Sequence, residues 1–203
     1  MSPGRRGATL VEVLATVLLI LALAGMAAYG FIRHLEVSRA DAARSLVMLA
    51  AHANRMQAMD NLVKSTGTAS YLPRPGLDGL LRTADGPCGP PWDGGALARC
   101  RYLGATDWDS QAYLYRACRR GEGGGCCASC GADAVACARR KPAGRDCTAE
   151  TAASPVAREA GKSAETEVSR RGGGVRGGAG RPYCEWRYCV DASDRVTALF
   201  GAP

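Results

Sequence analysis

From residue 4 to residue 72 the chain carries no proline, and the front of that stretch is almost wholly apolar. Residues 13–32 are nearly all Val, Leu, Ile, Ala and Met. As a helix rising 1.5 Å per residue, the run is about 30 Å long, enough to cross a bilayer. Residues 33–64 remain helix-compatible but change character. Ala42, Leu46, Leu49, Ala53, Met56 and Val63 recur at three- to four-residue steps or twice that, which predicts an apolar stripe along one face. Arg39, Asp41, Arg44, His52, Arg55 and Asp60 fall mostly elsewhere, and Asp41 with Arg44 forms an i,i+3 pair. Residues 8–64 therefore predict one helix about 85 Å long. A small domain cannot cover such a rod, so its front half must leave the domain.

The leading edge of the rod reads Arg5-Arg6-Gly7-Ala8-Thr9-Leu10-Val11-Glu12-Val13. An acidic residue at mid-bilayer costs about 2.5–3.5 kcal/mol on insertion scales, and less near the interface. Glu12 is thus expected to have a role. A secretory signal cut after Ala22, Ala24, Ala27 or Ala28, or a plain signal anchor, are the competing readings. The cut signal leaves both Glu12 and the helical pattern continuing past residue 32 unexplained.

This leading edge resembles the N-terminus of type IV prepilins and type II secretion pseudopilins: a short basic leader ending in Gly7, then Thr9, two aliphatics, Glu12 and a long apolar helix. Ala8 stands where that family usually has phenylalanine. The resemblance covers about the first 55–60 residues. It implies a leader over residues 1–7, cleavage between Gly7 and Ala8 by a prepilin peptidase, and N-methylation of Ala8. It further implies a single-pass inner-membrane protein with its N-terminus cytoplasmic and its head periplasmic, as the basic leader also suggests. Residues 8–32 would be the transmembrane segment and later the filament core, with Glu12 pairing to the N-terminal amine of the next subunit. The implied partners are the peptidase, other pilin or pseudopilin subunits and an inner-membrane assembly platform. Gly25 and Gly30 are either tolerated membrane-helix glycines or a weak segment that unwinds on entry into a filament.

Residues 65–203 are expected to form a globular head. Pro73, Pro75, Gly76 and Gly79 mark a loop, and a second Pro/Gly cluster spans residues 86–91. Candidate strands are residues 98–103, 112–118, 183–190 and 195–200, with residues 191–194 as a turn. A small antiparallel sheet lying on the rear half of the long helix makes the expected class α+β. Residues 119–181 show little apolar periodicity apart from a short polar helix suggested over 159–167. They are expected to be an irregular or partly disordered insertion.

The head is poor in large apolar residues, so its core must be small. All ten cysteines lie in it: Cys88, Cys100, Cys118, Cys126, Cys127, Cys130, Cys137, Cys147, Cys184 and Cys189. An exported, core-poor domain with an even cysteine count favours structural disulfides. Pairings stay open, with Cys184–Cys189 and Cys88–Cys100 as local candidates. Cys127 and Cys130 have the C-x-x-C spacing of zinc sites and thiol catalysts. A second C-x-x-C and a thioredoxin-like βαβ unit are missing, so neither metal, cofactor nor catalytic residue is expected. His34 and His52 read as polar-face residues, and Asp107 and Asp109 as turn residues around Trp108.

The net charge of +7 permits anionic partners without naming one. The basic glycine run over 170–178 reads as a solvated linker, with nucleic-acid binding the sharper alternative. The sequence thus favours a non-enzymatic filament subunit, set against a single-span anchored binding protein with a basic, cysteine-rich exterior.

Overall fold

The computed structural model describes residues 9–64, 70–104, 106–122, 126–127, 130–141, 166, 174–176 and 186–200. The proposed leader, Gly7 and Ala8, and Cys147 and Cys184 lie outside the described residues. So does most of the polar helix suggested over 159–167.

Helix α1 (Leu10–Lys64) runs for 55 residues without interruption. Thr9 caps it: the amide of Glu12 donates to the Thr9 carbonyl at 3.0 Å and to its Oγ1 at 3.4 Å. Lys64 closes the last turn, where a cation suits the helix dipole, and its Nζ lies 2.6 Å from Asp60 Oδ2. The helix continues through Gly25 and Gly30, and both positions are open to solvent.

The rear half packs on the head, but through a face other than the expected stripe. Ala40, Ala43, Val47, Ala50, Ala51, Ala53 and Ala58 are buried, together with Asn54 and Gln57. Of the expected stripe only Ala53 is buried. Leu46 is half-buried, Ala42 is exposed, and Leu49, Met56 and Val63 are 43%, 61% and 85% exposed. The reason lies in the opposing surface. The sheet presents Tyr113, Tyr115, Trp186 and Tyr188, which fill the interlayer space themselves. Small side chains on the helix let the two backbones approach that aromatic layer, and a row of leucines would overfill it.

The short helix α2 (Ala96–Arg99) follows, and then five strands: β1 (Tyr113–Ala117), β2 (Ala134–Arg140), β3 (Gly174–Arg176), β4 (Trp186–Asp191) and β5 (Val196–Phe200). Their spatial order is β1-β2-β4-β5-β3. The first four form an antiparallel sheet, and β3 adds to β5 in parallel. The class is α+β. Residues 98–103 are no strand: Ala96 to Arg99 make a helical turn with Leu97 fully buried, and Arg101 follows at φ 61°.

The larger correction concerns the insertion, because β2 and β3 both lie in it. β2 sits between β1 and β4, and every position except Arg139 is buried. Its sequence, Ala-Val-Ala-Cys-Ala-Arg-Arg, has few of the β-branched and aromatic residues by which a strand is recognised. Alanine is accepted there because β2 is covered on both faces, by α1 on one side and by cysteine-bearing loop on the other. The basic glycine run is likewise no uniform linker, since Gly174–Arg176 is β3.

Two polar devices join the layers. Buried Asn54 on α1 donates through Nδ2 to the carbonyls of Leu72, Cys118 and Val135 at 2.9–3.1 Å, and its Oδ1 accepts the Leu72 amide at 2.9 Å. One side chain thereby ties the loop after the helix, the end of β1 and the body of β2. Residues 79–81 cover the outer edge of β1, with Leu81 N to Tyr115 O and Ala117 N to Gly79 O both at 2.8 Å. Gly79 is required for that approach, because a Cβ there would lie 2.1 Å from the Ala117 carbonyl oxygen.

Candidate functional site

Two sets of residues stand out, and the fold keeps them far apart. The first is the start of α1. Leu10–Phe31 has a mean hydropathy of 2.5, and none of it is buried within the chain. Glu12 is exposed in the first turn, where a carboxylate favours the positive end of the helix dipole. Leu10, Val11, Leu14, Leu18 and Leu21 around it are each more than half exposed. By length and composition this segment is able to cross a membrane.

The second set is the cysteines, six of which (Cys118, Cys126, Cys127, Cys130, Cys137 and Cys189) cluster on the face of the sheet turned away from α1. Asn54, which marks where the head grips the helix, is about 63 Å along the axis from Glu12. Four bridges occur among the described residues: Cys88–Cys100, Cys118–Cys126, Cys127–Cys137 and Cys130–Cys189. The Cys88–Cys100 candidate is present. The Cys184–Cys189 candidate is not, because Cys189 is bonded to Cys130 across 59 residues of chain.

The C-x-x-C pair does not close on itself. Cys127 is bonded to Cys137 on β2, and Cys130 to Cys189 on the neighbouring β4. Cys137 and Cys189 face each other in the β2–β4 register, so the two bridges fasten one loop over two adjacent strands. With Cys118, Ala134 and Leu199, these sulfurs make a second small core where a larger domain would place another apolar layer. In the chain-entropy picture the 59-residue closure contributes about 4 kcal/mol and each short one about 3 kcal/mol.

The sulfurs of Cys118, Cys126, Cys127 and Cys137 lie within 4.8 Å of one another, and thiolates at that spacing would suit a soft metal. Here all four are engaged in the Cys118–Cys126 and Cys127–Cys137 bridges, which leaves no thiolate to donate.

The histidines and the acidic pair are placed as polar surface groups. His52 Nδ1 lies 3.1 Å from Arg55, whose guanidinium grips both carboxylate oxygens of Asp194 in the β4–β5 turn. Asp107 Oδ1 accepts the amides of Asp109 and Ser110 at 3.1 and 3.2 Å, closing a turn that carries buried Trp108 edge-on against Tyr115. The Ser110 hydroxyl first, and then the Ser110 and Asp109 amides and Thr83, hold the Asp107 carboxyl below its usual range.

A further cluster was not legible in the sequence. Tyr102 donates to Asp60 Oδ2 at 2.5 Å on the same oxygen that Lys64 approaches. Lys64 and Tyr102 lower the Asp60 pKa, while burial and the adjoining carboxylate push Tyr102 up to about 12. Tyr102 sits in what the pattern suggested was a strand, and only the turn after α2 brings it to the helix. No known protein family, curated protein or solved structure matches the chain.

Proposed function

We propose that the chain is a type IV pilin-like or pseudopilin-like subunit that waits in the inner membrane and assembles through the front half of α1. One observation carries the reading: a single unbroken helix has a head-bound rear and an apolar front, none of it buried within the chain, that bears Glu12 in its first turn. The sequence around Gly7 supports it, since Gly7, Thr9, Leu10, Val11 and Glu12 stand at prepilin spacing.

The mechanism follows from the cost of charge in an apolar medium. Cleavage after Gly7 and methylation of Ala8 leave a cationic amine four residues before Glu12. In a bundle of such helices, a carboxylate without a partner is strongly disfavoured, and the amine of a neighbouring copy satisfies it. Because the attraction falls off with separation in a low-dielectric core, the pair fixes the axial offset between copies. The apolar faces of Leu10–Phe31 then supply the packing. The cross-linked head stays outside, where its stability does not depend on a large core.

The test is the N-terminal residue and intact mass of the membrane-extracted protein, together with Glu12→Ala in the assembling cell. N-methylalanine at position 8 is expected, with the variant accumulating in the membrane yet missing from sheared filaments. An unprocessed N-terminus would leave the other reading, a single-span anchored binding protein. Normal incorporation of Glu12→Ala would remove the register role.

A further inference from the structure

Four cysteines from separate parts of the head bring their sulfurs to one point. The Sγ atoms of Cys118, Cys126, Cys127 and Cys137 all lie within 4.8 Å of one another. Cys118 and Cys137 belong to different bridges, yet their sulfurs are 3.9 Å apart. A tetrahedral zinc ion with thiolates at about 2.3 Å sets its ligand sulfurs about 3.8 Å apart. The cluster therefore has the size of a zinc tetrahedron, a coincidence that two separate bridges do not require.

Two of the four positions are set without any S–S bond. Cys137 lies in buried β2, with Arg116 of β1 and Cys189 of β4 as its register partners. Cys118, just past β1, is fixed by its backbone: its amide donates to the Val135 carbonyl at 2.9 Å, and its carbonyl accepts Asn54 Nδ2 at 3.1 Å. Cys126 and Cys127 come from the loop that covers these strands. There the Cys126 amide donates to the Glu122 carbonyl and the Cys130 amide to the Cys127 carbonyl, both at 3.0 Å. Cys118 and Cys137 are fully buried, and the loop pair is half-buried above them.

The donor set selects the metal. Four sulfurs with no oxygen or nitrogen suit a soft or borderline cation, and tetrahedral ligation by four thiolates is characteristic of structural zinc. Four protein ligands fill the coordination sphere, so no position is left for a substrate. The C-x-x-C spacing does not build the site, because Cys127 belongs to the cluster and Cys130, bonded to Cys189, does not.

We infer that the head, in its reduced form, binds one zinc ion through Cys118, Cys126, Cys127 and Cys137. Loading is no redox step: each thiol gives up its proton as its sulfur takes the metal. Zinc then pins the loop on β1 and β2, as the two bridges do in the oxidised chain. The inference needs neither the membrane span nor filament assembly, and its failure leaves the proposed function in place.

The test uses the full chain in detergent, reduced with a phosphine under argon and titrated with cobalt(II) and then with zinc. One equivalent of cobalt per chain is expected, with the visible bands and thiolate charge-transfer absorption of tetrahedral cobalt held by four sulfurs, displaced by zinc. Alkylation followed by peptide mapping, with and without zinc, is expected to show protection gained at Cys118, Cys126, Cys127 and Cys137 alone. Loss of one outer-shell partner of a metal site costs 10–100-fold, so Cys127→Ser with Cys137→Ser, which removes two ligands, weakens zinc binding by at least about a hundredfold. Cys130→Ser with Cys189→Ser removes as many thiols from the same loop and sheet and leaves the affinity unchanged. In an unfolded reduced chain the metal would go to cysteines close in sequence, and Cys130 would gain protection in place of Cys118 or Cys137. That pattern overturns the proposal, as does the lack of a tight equivalent or an equal loss in the two double variants.

Discussion

The two halves of α1 share a backbone and little else. Between Leu10 and Phe31 the large aliphatics are exposed all round, and none of the segment is buried within the chain. Between Ala40 and Ala58 six of the nine buried side chains are alanine, the others being Val47, Asn54 and Gln57. The difference teaches that bulk along a helix does not mark the face that packs. Apolar size in front serves a medium that conforms to any shape, such as lipid or a ring of like helices. Smallness behind serves a fixed aromatic surface, which admits the helix only at close range.

If the halves are independent, injury to the head must leave the front untouched, and the cross-links allow the hardest test. Replacing Cys130 and Cys189 together with Ser is expected to cost the head about 4 kcal/mol, read as lost resistance to urea, with membrane insertion unchanged. Loss of insertion would break the comparison. Asn54→Ala comes next, at about 3 kcal/mol, because it leaves a buried amide and several carbonyls without their partner. A cost under about 1 kcal/mol by the same measurement would show that the tie matters little.

The sharpest comparison makes one substitution in both halves. Ala50→Leu overfills the interface with the sheet and is expected to cost about 2 kcal/mol. Ala22→Leu enlarges a side chain that meets nothing in the head, and should shift head stability by less than about 0.5 kcal/mol. Equal thermal shifts would mean that the rear half is looser than its burial suggests.

The smallest effect concerns the end of the helix. The Asp60 carboxyl is held below its ordinary value, so its contribution is present above about pH 4 and is lost as the pH falls through the lowered value. Tyr102 is raised to about 12, so its contribution is present below about pH 10 and is lost as the pH climbs toward 12. Burial also raises Tyr115 and Tyr188, and their titration contributes to the same alkaline loss. The excess loss of wild type over Tyr102→Phe between pH 8 and pH 11.5, followed by thermal melting, isolates the titration of the Tyr102 hydroxyl, held up by burial first and by its contact with Asp60 second. No excess would mean that this titration adds nothing.

Much of the scaffold was legible because local rules set it. Absence of proline and sustained apolarity specify a long rod, and Tyr, Trp and Val mark β4 and β5. Asp191 announces the turn between them, where its Oδ1 accepts the amides of Ser193 and Arg195 at 2.8 and 3.0 Å. What failed depended on partners distant in sequence. β2 has no alternation to read, since a strand covered on both faces loses the period-2 signal. The packed face of α1 was misjudged because its alanines carry weight only opposite Tyr113, Tyr115, Trp186 and Tyr188. Arg39 lies about a hundred residues from the adjacent Arg140 and Lys141, beside which the fold places it, and no motif links them.

By itself the sequence determined that a rod long enough to span a bilayer leads a core-poor head dependent on covalent cross-links. Backbone propensity and transfer free energy act over a few turns of chain, so they can be read from it directly. Tertiary structure alone decided which alanines meet the aromatic layer, that Cys130 reaches Cys189 and not its near neighbour, and that the sulfurs of Cys118, Cys126, Cys127 and Cys137 gather at one point. Those choices depend on shape and proximity between segments far apart in sequence, and only the folded chain supplies either.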